Sequence, residues 1–284
     1  MFDFMPEQAS TIAPKIDWLN HLVTVISVFF TVVIVGAMIY FAVRYRKRGG
    51  QDHETPRIEG NGFLEVVWTT VPTLICILIG YYGVAFYREM RAEESNPVEI
   101  NVWGQKWRWD FEYPNGKKTN AELVVPVGRQ VKLITRSRDV IHSFFIPAMR
   151  VKRDVLPTEY GSLYFTPIKT GDYNVFCTEY CGQDHWDMLA KLRVVSQAEY
   201  DRWLQDRSAE LEMSRMSPVE LGKQLYNEKG CLACHSLDGS PRVGPSFLKL
   251  YGREGEFADG ATYKADENYI QESVLHPNKH IVKG

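Results

Sequence analysis

Apolar positions along this chain change their spacing several times, and each change marks a different kind of structure. From His21 to Val43 the run HLVTVISVFFTVVIVGAMIYFAV is apolar almost without interruption, about the length a helix needs to cross roughly 30 Å of hydrocarbon. A second apolar run extends from Phe63 to about Tyr87, broken by Glu65 at its start and Pro72 inside, both positions that a membrane helix tolerates. The two runs predict a transmembrane helical hairpin. From about Pro97 to Ser196 the period shortens to two. Trp103, Trp107, Trp109, Phe111 and Tyr113 recur at alternate positions, and Leu123–Val127, Val131–Ile134 and Leu163–Phe165 are short β-rich runs broken by Gly, Pro or Asn. This pattern predicts a Greek-key barrel. Residues 197–216 then turn polar and rich in Glu, Arg and Met, with Ser217-Pro218 behind them, which predicts a linker helix.

The chain of 284 residues is long enough for about two domains, and the pattern divides it further. The expected segments are 1–16 at the N-terminus, a hairpin over 17–90, a barrel over 91–196, the linker helix over 197–216 and a last domain over 217–284. Basic residues orient the hairpin. The loop between the spans carries Arg44, Arg46, Lys47, Arg48 and Arg57, whereas the flanks hold Lys15 on one side and mainly Arg88 and Arg91 on the other. By the positive-inside rule the loop is cytoplasmic, and both termini face outward with everything beyond about Arg91. Residues 1–20 lack a charged start followed by an apolar core, so a signal peptide is absent or already removed. A net charge of −2 argues against nucleic acid as a partner.

Candidate chemistry is concentrated in two words. Cys177-Thr-Glu-Tyr-Cys181-Gly-Gln-Asp-His185-Trp-Asp-Met188 packs two thiols, an imidazole and a thioether into one stretch. Soft and borderline ligands of this kind select copper. A mononuclear electron-transfer site uses one Cys, so the second thiol asks for a second metal ion bridged by both. Another imidazole is available at His142, in the strand-like run Val140–Pro147. A disulfide loop or a structural zinc site would also use the cysteines, but neither needs Met188. The second word, Cys231-Leu-Ala-Cys234-His235, is the attachment signature of a c-type haem, with two thioether anchors and an axial His in one turn. A zinc or redox Cys pair is the alternative. Cys76, the remaining thiol, reads as an ordinary small apolar residue of the second span.

His142 and the CxExCxxxHxxM run resemble the binuclear Cu-A site of cytochrome c oxidase subunit II. The match covers His142, Cys177, Cys181, His185 and Met188, with Glu179 where that family uses a backbone carbonyl. The resemblance implies a cupredoxin-like barrel and, through the Glu179 side chain, a magnesium ion shared with subunit I. Gly104-Gln-Lys-Trp107-Arg-Trp109-Asp-Phe-Glu-Tyr113 resembles the family's aromatic segment beside Cu-A, which implies that Trp107 takes in electrons, although such aromatics are more often barrel core. Glu65-Val-Val-Trp68-Thr-Thr-Val-Pro72 resembles the segment whose Glu stands at the mouth of a proton pathway, against the plainer role of a charge favoured at a helix N-terminus. Leu221–Tyr226, the haem word, Val243-Gly-Pro-Ser-Phe247 and Tyr269–Gly284 resemble a small all-α class I cytochrome c, with a Gly-Pro turn packed near the axial His.

Together these resemblances imply an electron-input subunit of a haem-copper oxygen reductase, fused to its own cytochrome c. Its home would be a bacterial inner membrane, with copper and haem on the periplasmic side. Implied partners are subunit I, where oxygen is reduced with proton pumping, the other oxidase subunits, membrane lipid, and an upstream cytochrome or quinol-cytochrome c reductase. The main alternative is the Cu-A subunit of a nitric oxide reductase. A nitrous oxide reductase lacks the hairpin, a metal carrier would need an open site, and His142 with Cys181 excludes a quinol oxidase subunit. The last Met is Met216, upstream of the haem word. A class I cytochrome supplies a distal Met downstream, so the natural chain is expected to continue past Gly284 and provide it. Otherwise His276 or His280 would be recruited.

Overall fold

The computed structural model describes residues 5–46, 59–277 and 279–283. The chain divides into two compact units, Met1–Asp206 and Arg207–Gly284. In the first, helix α1 (Ala13–Arg44) and helix α2 (Gly62–Met90) are both long and apolar enough to cross a membrane. They run antiparallel, because Lys15 bonds Glu89 at 2.5 Å and the Trp18 ring meets Tyr82 at 4.9 Å. Phe29, Ile34, Leu74 and Ile77 point away from the protein, as lipid-facing side chains must. Cys76 is exposed in the same sense. Pro72 stays inside α2. The α2 N-terminus is capped by Asn61, whose side chain accepts from the N–H groups of Phe63 and Leu64, and Glu65 lies in its first turn, where a negative charge is favoured. Arg44 sits in the last turn of α1, while Lys47, Arg48 and Arg57 lie outside the described residues.

Ten strands follow: β1 (Val98–Gln105), β2 (Arg108–Glu112), β3 (Lys118–Asn120), β4 (Glu122–Pro126), β5 (Val131–Ser137), β6 (His142–Ile146), β7 (Val151–Val155), β8 (Gly161–Phe165), β9 (Gly171–Cys177) and β10 (Leu189–Val195). They form two five-stranded sheets, ordered β3-β2-β1-β5-β8 and β4-β10-β9-β6-β7. The two sheets close over one core in a cupredoxin-like barrel. Strand β5 shows the logic, since its residues alternate strictly between buried and half-buried, the period a one-sided strand requires.

The aromatic run is not one strand. Gln105 pairs with Arg108, so Lys106 and Trp107 form the turn of a hairpin, and the reversal shifts the buried parity. Val98, Ile100 and Val102 face the core from β1, whereas Trp109 and Phe111 do so from β2. Trp103 therefore faces outward, against Tyr160. The Lys106 N–H leaves the ladder and donates to Asp139 at 2.8 Å.

Two regions read as separate segments are part of the barrel unit. Ala9, Ser10, Ile12 and Ala13 are buried. Their backbone is strapped to it by bonds from Ala9 to the Ala148 carbonyl, from Thr11 to Thr166 and from Ile168 back to Ala9. Small side chains allow this close approach, which no periodicity announces. The expected single linker helix is two helices. Helix α3 (Gln197–Gln205) packs Tyr200 into the core and Trp203 against Tyr113 at 4.8 Å. Helix α4 (Ser208–Arg215) belongs to the second unit.

The second unit has α5 (Pro218–Glu228), opened by a capping box between Ser217 and Glu220, the short α6 (Cys231–Cys234) and α7 (Glu267–Leu275). It is helical, with one addition to the all-α expectation, a two-stranded ribbon of β11 (Glu254–Glu256) and β12 (Thr262–Lys264).

Tyr113 ties this barrel together. Its buried hydroxyl accepts from the Val124 N–H at 2.7 Å and donates to the Val124 carbonyl at 3.2 Å. Tyr113→Phe is expected to lower barrel stability by about 1–3 kcal/mol, the cost of stranding buried polar groups. The check is chemical denaturation followed by Trp fluorescence, with the midpoint falling and the slope unchanged.

Candidate metal centre

Strand pairing brings the candidate metal ligands together. Phe144 of β6 lies opposite Cys177 at the end of β9, and the Thr178 N–H closes the pair on the Ser143 carbonyl at 3.0 Å. His142, at the start of β6, thus arrives beside Cys177 with its Nδ1 3.8 Å from the sulfur. The loop from Cys177 to Met188 then folds back over the barrel end. Cys181 places its sulfur 3.8 Å from that of Cys177, 3.4 Å from His185 Nδ1 and 3.8 Å from Met188 Sδ. The Glu179 carbonyl is 3.4 Å from the Cys177 sulfur, while its side chain is exposed. His142, Cys177, Cys181 and Met188 are buried, and His185 is half-buried.

Both thiols are free, and the donor set fits the copper pair. A metal ion about 2.3 Å from a thiolate sulfur can bridge two sulfurs 3.8 Å apart, and the thioether favours copper over zinc. Burial would raise the Cys177 thiol, but His142, the backbone N–H and carbonyl neighbours and Cys181 bring it down to about 7. Burial and then the neighbouring Cys177 charge push Cys181 up to about 12. Binding a cation therefore displaces a proton from Cys181.

Asp139, which the sequence reading passed over, supports His142. Its carboxylate meets His142 Nε2 at 2.8 Å and the Lys106 N–H at 2.8 Å. Because a carboxylate only accepts, Nε2 carries the proton and Nδ1 is left to bind metal. Burial opposes ionisation of Asp139, yet His142 and the N–H groups of Lys106 and Val140 hold it down at about 2. The spacing of three residues before a candidate His was the available signal. Behind the ring, Trp109 packs on His142 at 5.9 Å and on Phe144 at 4.9 Å.

Trp107 is half-buried on the hairpin turn, and its indole N–H donates to the Cys181 carbonyl at 3.2 Å. A Cβ on Gly182 would stand 3.1 Å from this ring, so the indole lies directly on the ligand loop. Glu65 is exposed in the first turn of α2 and is not part of this cluster.

In the second unit, Cys231 and Cys234 sit on α6 with His235 immediately after. His235 Nδ1 is 2.8 Å from the Pro245 carbonyl. A carbonyl cannot donate, so Nδ1 is protonated and Nε2 is available to an iron. Phe247 stacks on the ring at 4.4 Å. A Cβ on Gly244 would come within 2.6 Å of the ring, so the Gly244-Pro245 turn packs on His235 as expected. The pairing of two half-buried thiols with an oriented imidazole fits a covalent haem.

Comparison with known proteins shows which families the chain resembles. Family models for cytochrome c oxidase subunit II match over residues 2–86, the transmembrane domain, and 117–195, the periplasmic domain, and a cytochrome c model matches over 219–279. A cytochrome c oxidase subunit 2 of Thermostichus vulcanus is 30% identical over 72% of this chain and 79% of its own length. That of Alkalihalophilus pseudofirmus is 29% identical over 85% and 74%. The solved periplasmic domain of subunit II of cytochrome oxidase from Bradyrhizobium japonicum is 32% identical, covering 41% of this chain and 95% of that one at a TM-score of 0.39.

Gly104 leaves room for the His142 ring, since a Cβ there would lie 3.0 Å from Trp109 and 3.1 Å from His142. Gly104→Ala is expected to displace the ring, weaken metal binding and cost about 1–3 kcal/mol of stability, the range for overpacking. Metal titration and thermal unfolding of the same sample check both effects.

Proposed function

We propose, from the premise that this chain belongs to the cytochrome c oxidase subunit II family, that it is the electron-input subunit of a haem-copper oxygen reductase with its own c-type cytochrome as immediate donor. The observation that carries the reading is the convergence of two thiols, two imidazoles, a thioether and a carbonyl within 3.4–3.8 Å of neighbouring ligand atoms. When bound, the copper pair and the haem supply one-electron relay chemistry. Oxygen reduction and proton pumping belong to subunit I, the partner that this subunit and the other oxidase subunits surround. Upstream, a cytochrome or a quinol-cytochrome c reductase feeds the haem.

The residues divide the work. Cys177 and Cys181 hold the copper pair, with His142, His185, Met188 and the Glu179 carbonyl completing it. A relay has to change oxidation state without rearranging, and burial of these groups against Trp109 and Phe144 supports that rigidity. Cys231 and Cys234 anchor the haem, and His235 presents Nε2 to its iron. Trp107 hands electrons to the ligand loop through its contact with Cys181. The exposed Glu179 side chain is free to hold magnesium jointly with subunit I. Glu65, exposed in the first turn of α2, supplies protons from the inner side. The copper and haem domains stand on the periplasmic side of the inner membrane, which the docking of residues 9–13 on the barrel supports: the N-terminus shares the barrel's side.

Metal analysis of the purified complex should give two coppers and one covalent haem in this subunit, and Cys181→Ser should abolish the mixed-valence paramagnetic signal. One copper, or zinc in its place, would overturn the binuclear reading. Trp107→Ala is expected to slow reduction of the copper pair about tenfold, roughly 1.4 kcal/mol of barrier, with proton chemistry intact. Glu65→Ala should lower oxygen turnover and leave haem-to-copper transfer unchanged. Stopped-flow spectroscopy separates the two steps.

A further inference from the structure

The buried charges nearest the membrane anchor take no part in metal binding. Asp17, in the second turn of α1, and Arg150, in the turn between β6 and β7, have side chains 6% and 5% exposed. Asp17 is the only buried carboxylate among the described residues. Arg150 Nε donates to one carboxylate oxygen at 2.7 Å and Nη2 to the other at 2.8 Å, a two-pronged pair. The remaining N–H groups reach the carbonyls of Pro6 at 2.6 Å, Pro147 at 2.5 Å and Glu7 at 3.5 Å. All five guanidinium donors are therefore used. Gln8 donates to Asp17 at 2.7 Å. Arg150 also adopts the left-handed backbone region at φ 56°, where glycine would fit with less strain, so its side chain is what the position keeps.

A buried ion pair contributes little stability over an apolar replacement, but it specifies one arrangement, because each partner is costly without the other. Here the partners belong to α1 and to the barrel. Beyond Arg150 the chain runs back through β6, whose first residue is His142. A second tie lies at the α2 exit, where Gln130 bonds Ala92 and Glu94 at 2.8 Å each. The strapped backbone of residues 9–13 holds the start of α1 on the barrel as well, and the ion pair adds a directional side-chain constraint to that strap.

We propose that Asp17 and Arg150 form a latch that sets the orientation of the copper-binding barrel on its membrane anchor, so that they are positioning residues for onward electron transfer. This rests on the electron-input reading above. The latch itself predicts a mechanical effect that needs no turnover.

The test uses the complete oxidase with Asp17→Asn, Arg150→Lys and the apolar pair Asp17→Leu with Arg150→Met. In each, the copper signal, the covalent haem and reduction of copper by the haem are expected to match the parent, whereas oxidation of copper by the next centre slows several-fold. Trypsin cleavage after Arg91, between α2 and the barrel, should accelerate several-fold. The apolar pair should recover thermal stability without recovering the transfer rate, which separates positioning from folding. Parental cleavage and transfer rates in all three variants would overturn the latch, as would losses that follow loss of copper or of thermal stability. A parent complex without the mixed-valence signal would instead refute the relay reading, and the cleavage rates would still judge the latch.

Discussion

Two thiols 3.8 Å apart cannot both ionise comfortably without a cation between them. Like charges at about 4 Å repel by roughly 4 kcal/mol at the effective dielectric of a protein near its surface. Cys177 near 7 and Cys181 near 12 describe a pair that carries at most one charge at neutrality. Two cations held by Cys177 and Cys181 would offset that repulsion, and the protein would then have only to keep the sulfurs from separating. Most of the first unit serves this end. The end of β9 fixes Cys177, the short turn His185–Asp187 brings His185 and Met188 over Cys181, and Trp107 holds the Cys181 carbonyl from above.

Rigidity at the site comes from shared supports rather than from strong single bonds. Asp139 orients the His142 ring with one oxygen and fixes the hairpin turn that carries Trp107 with the other. The His142 ring and the Trp107 turn therefore cannot move independently. Gly104 and Gly182 remove the Cβ atoms that would push the His142 ring and the Trp107 indole away. The core beneath is aromatic, with Trp109, Phe111 and Phe144 in edge-to-face contact, an arrangement that adds directional preference to burial.

How much of this was legible in the sequence follows from how local each feature is. The spans, the CxExCxxxHxxM run and the haem word are contiguous, and each was readable from spacing alone. The candidate ligands could be read as a set because the strand-like run Val140–Pro147 offers a second imidazole at His142 and the resemblance joins it to the Cys177–Met188 run. Asp139 was missed although it lies three residues away, since its effect depends on which ring nitrogen faces inward. The aromatic run misled, because period two does not reveal a hairpin whose two arms keep the same period with opposite parity. Asp17 and residues 9–13 were overlooked because the hydropathy signal begins at His21, while the contacts that bury them come from Arg150, Ala148 and Thr166, far along the chain.

The two candidate centres differ in what a folding error would cost them. Cys231, Cys234 and His235 occupy one turn and its exit, and the ring of His235 is held by Pro245 and Phe247 only about ten residues on, so the haem word depends on local structure. The copper ligands depend on the register of β6 against β9. A slip of one residue would turn every side chain of β6 to the other face, carrying His142 away from Cys177. Strand β6 is short, five residues, and short strands hold register weakly by themselves. It is held instead by its neighbours, paired with β7 over all five residues and with β9 at Phe144 and Phe145, and by Asp139 and Trp109 around His142. The strained left-handed Arg150 costs about 1–2 kcal/mol and its desolvated pair with Asp17 several more. Neither cost falls on the candidate ligands, because the pair seats the barrel on α1 while Asp139 and Trp109 hold His142.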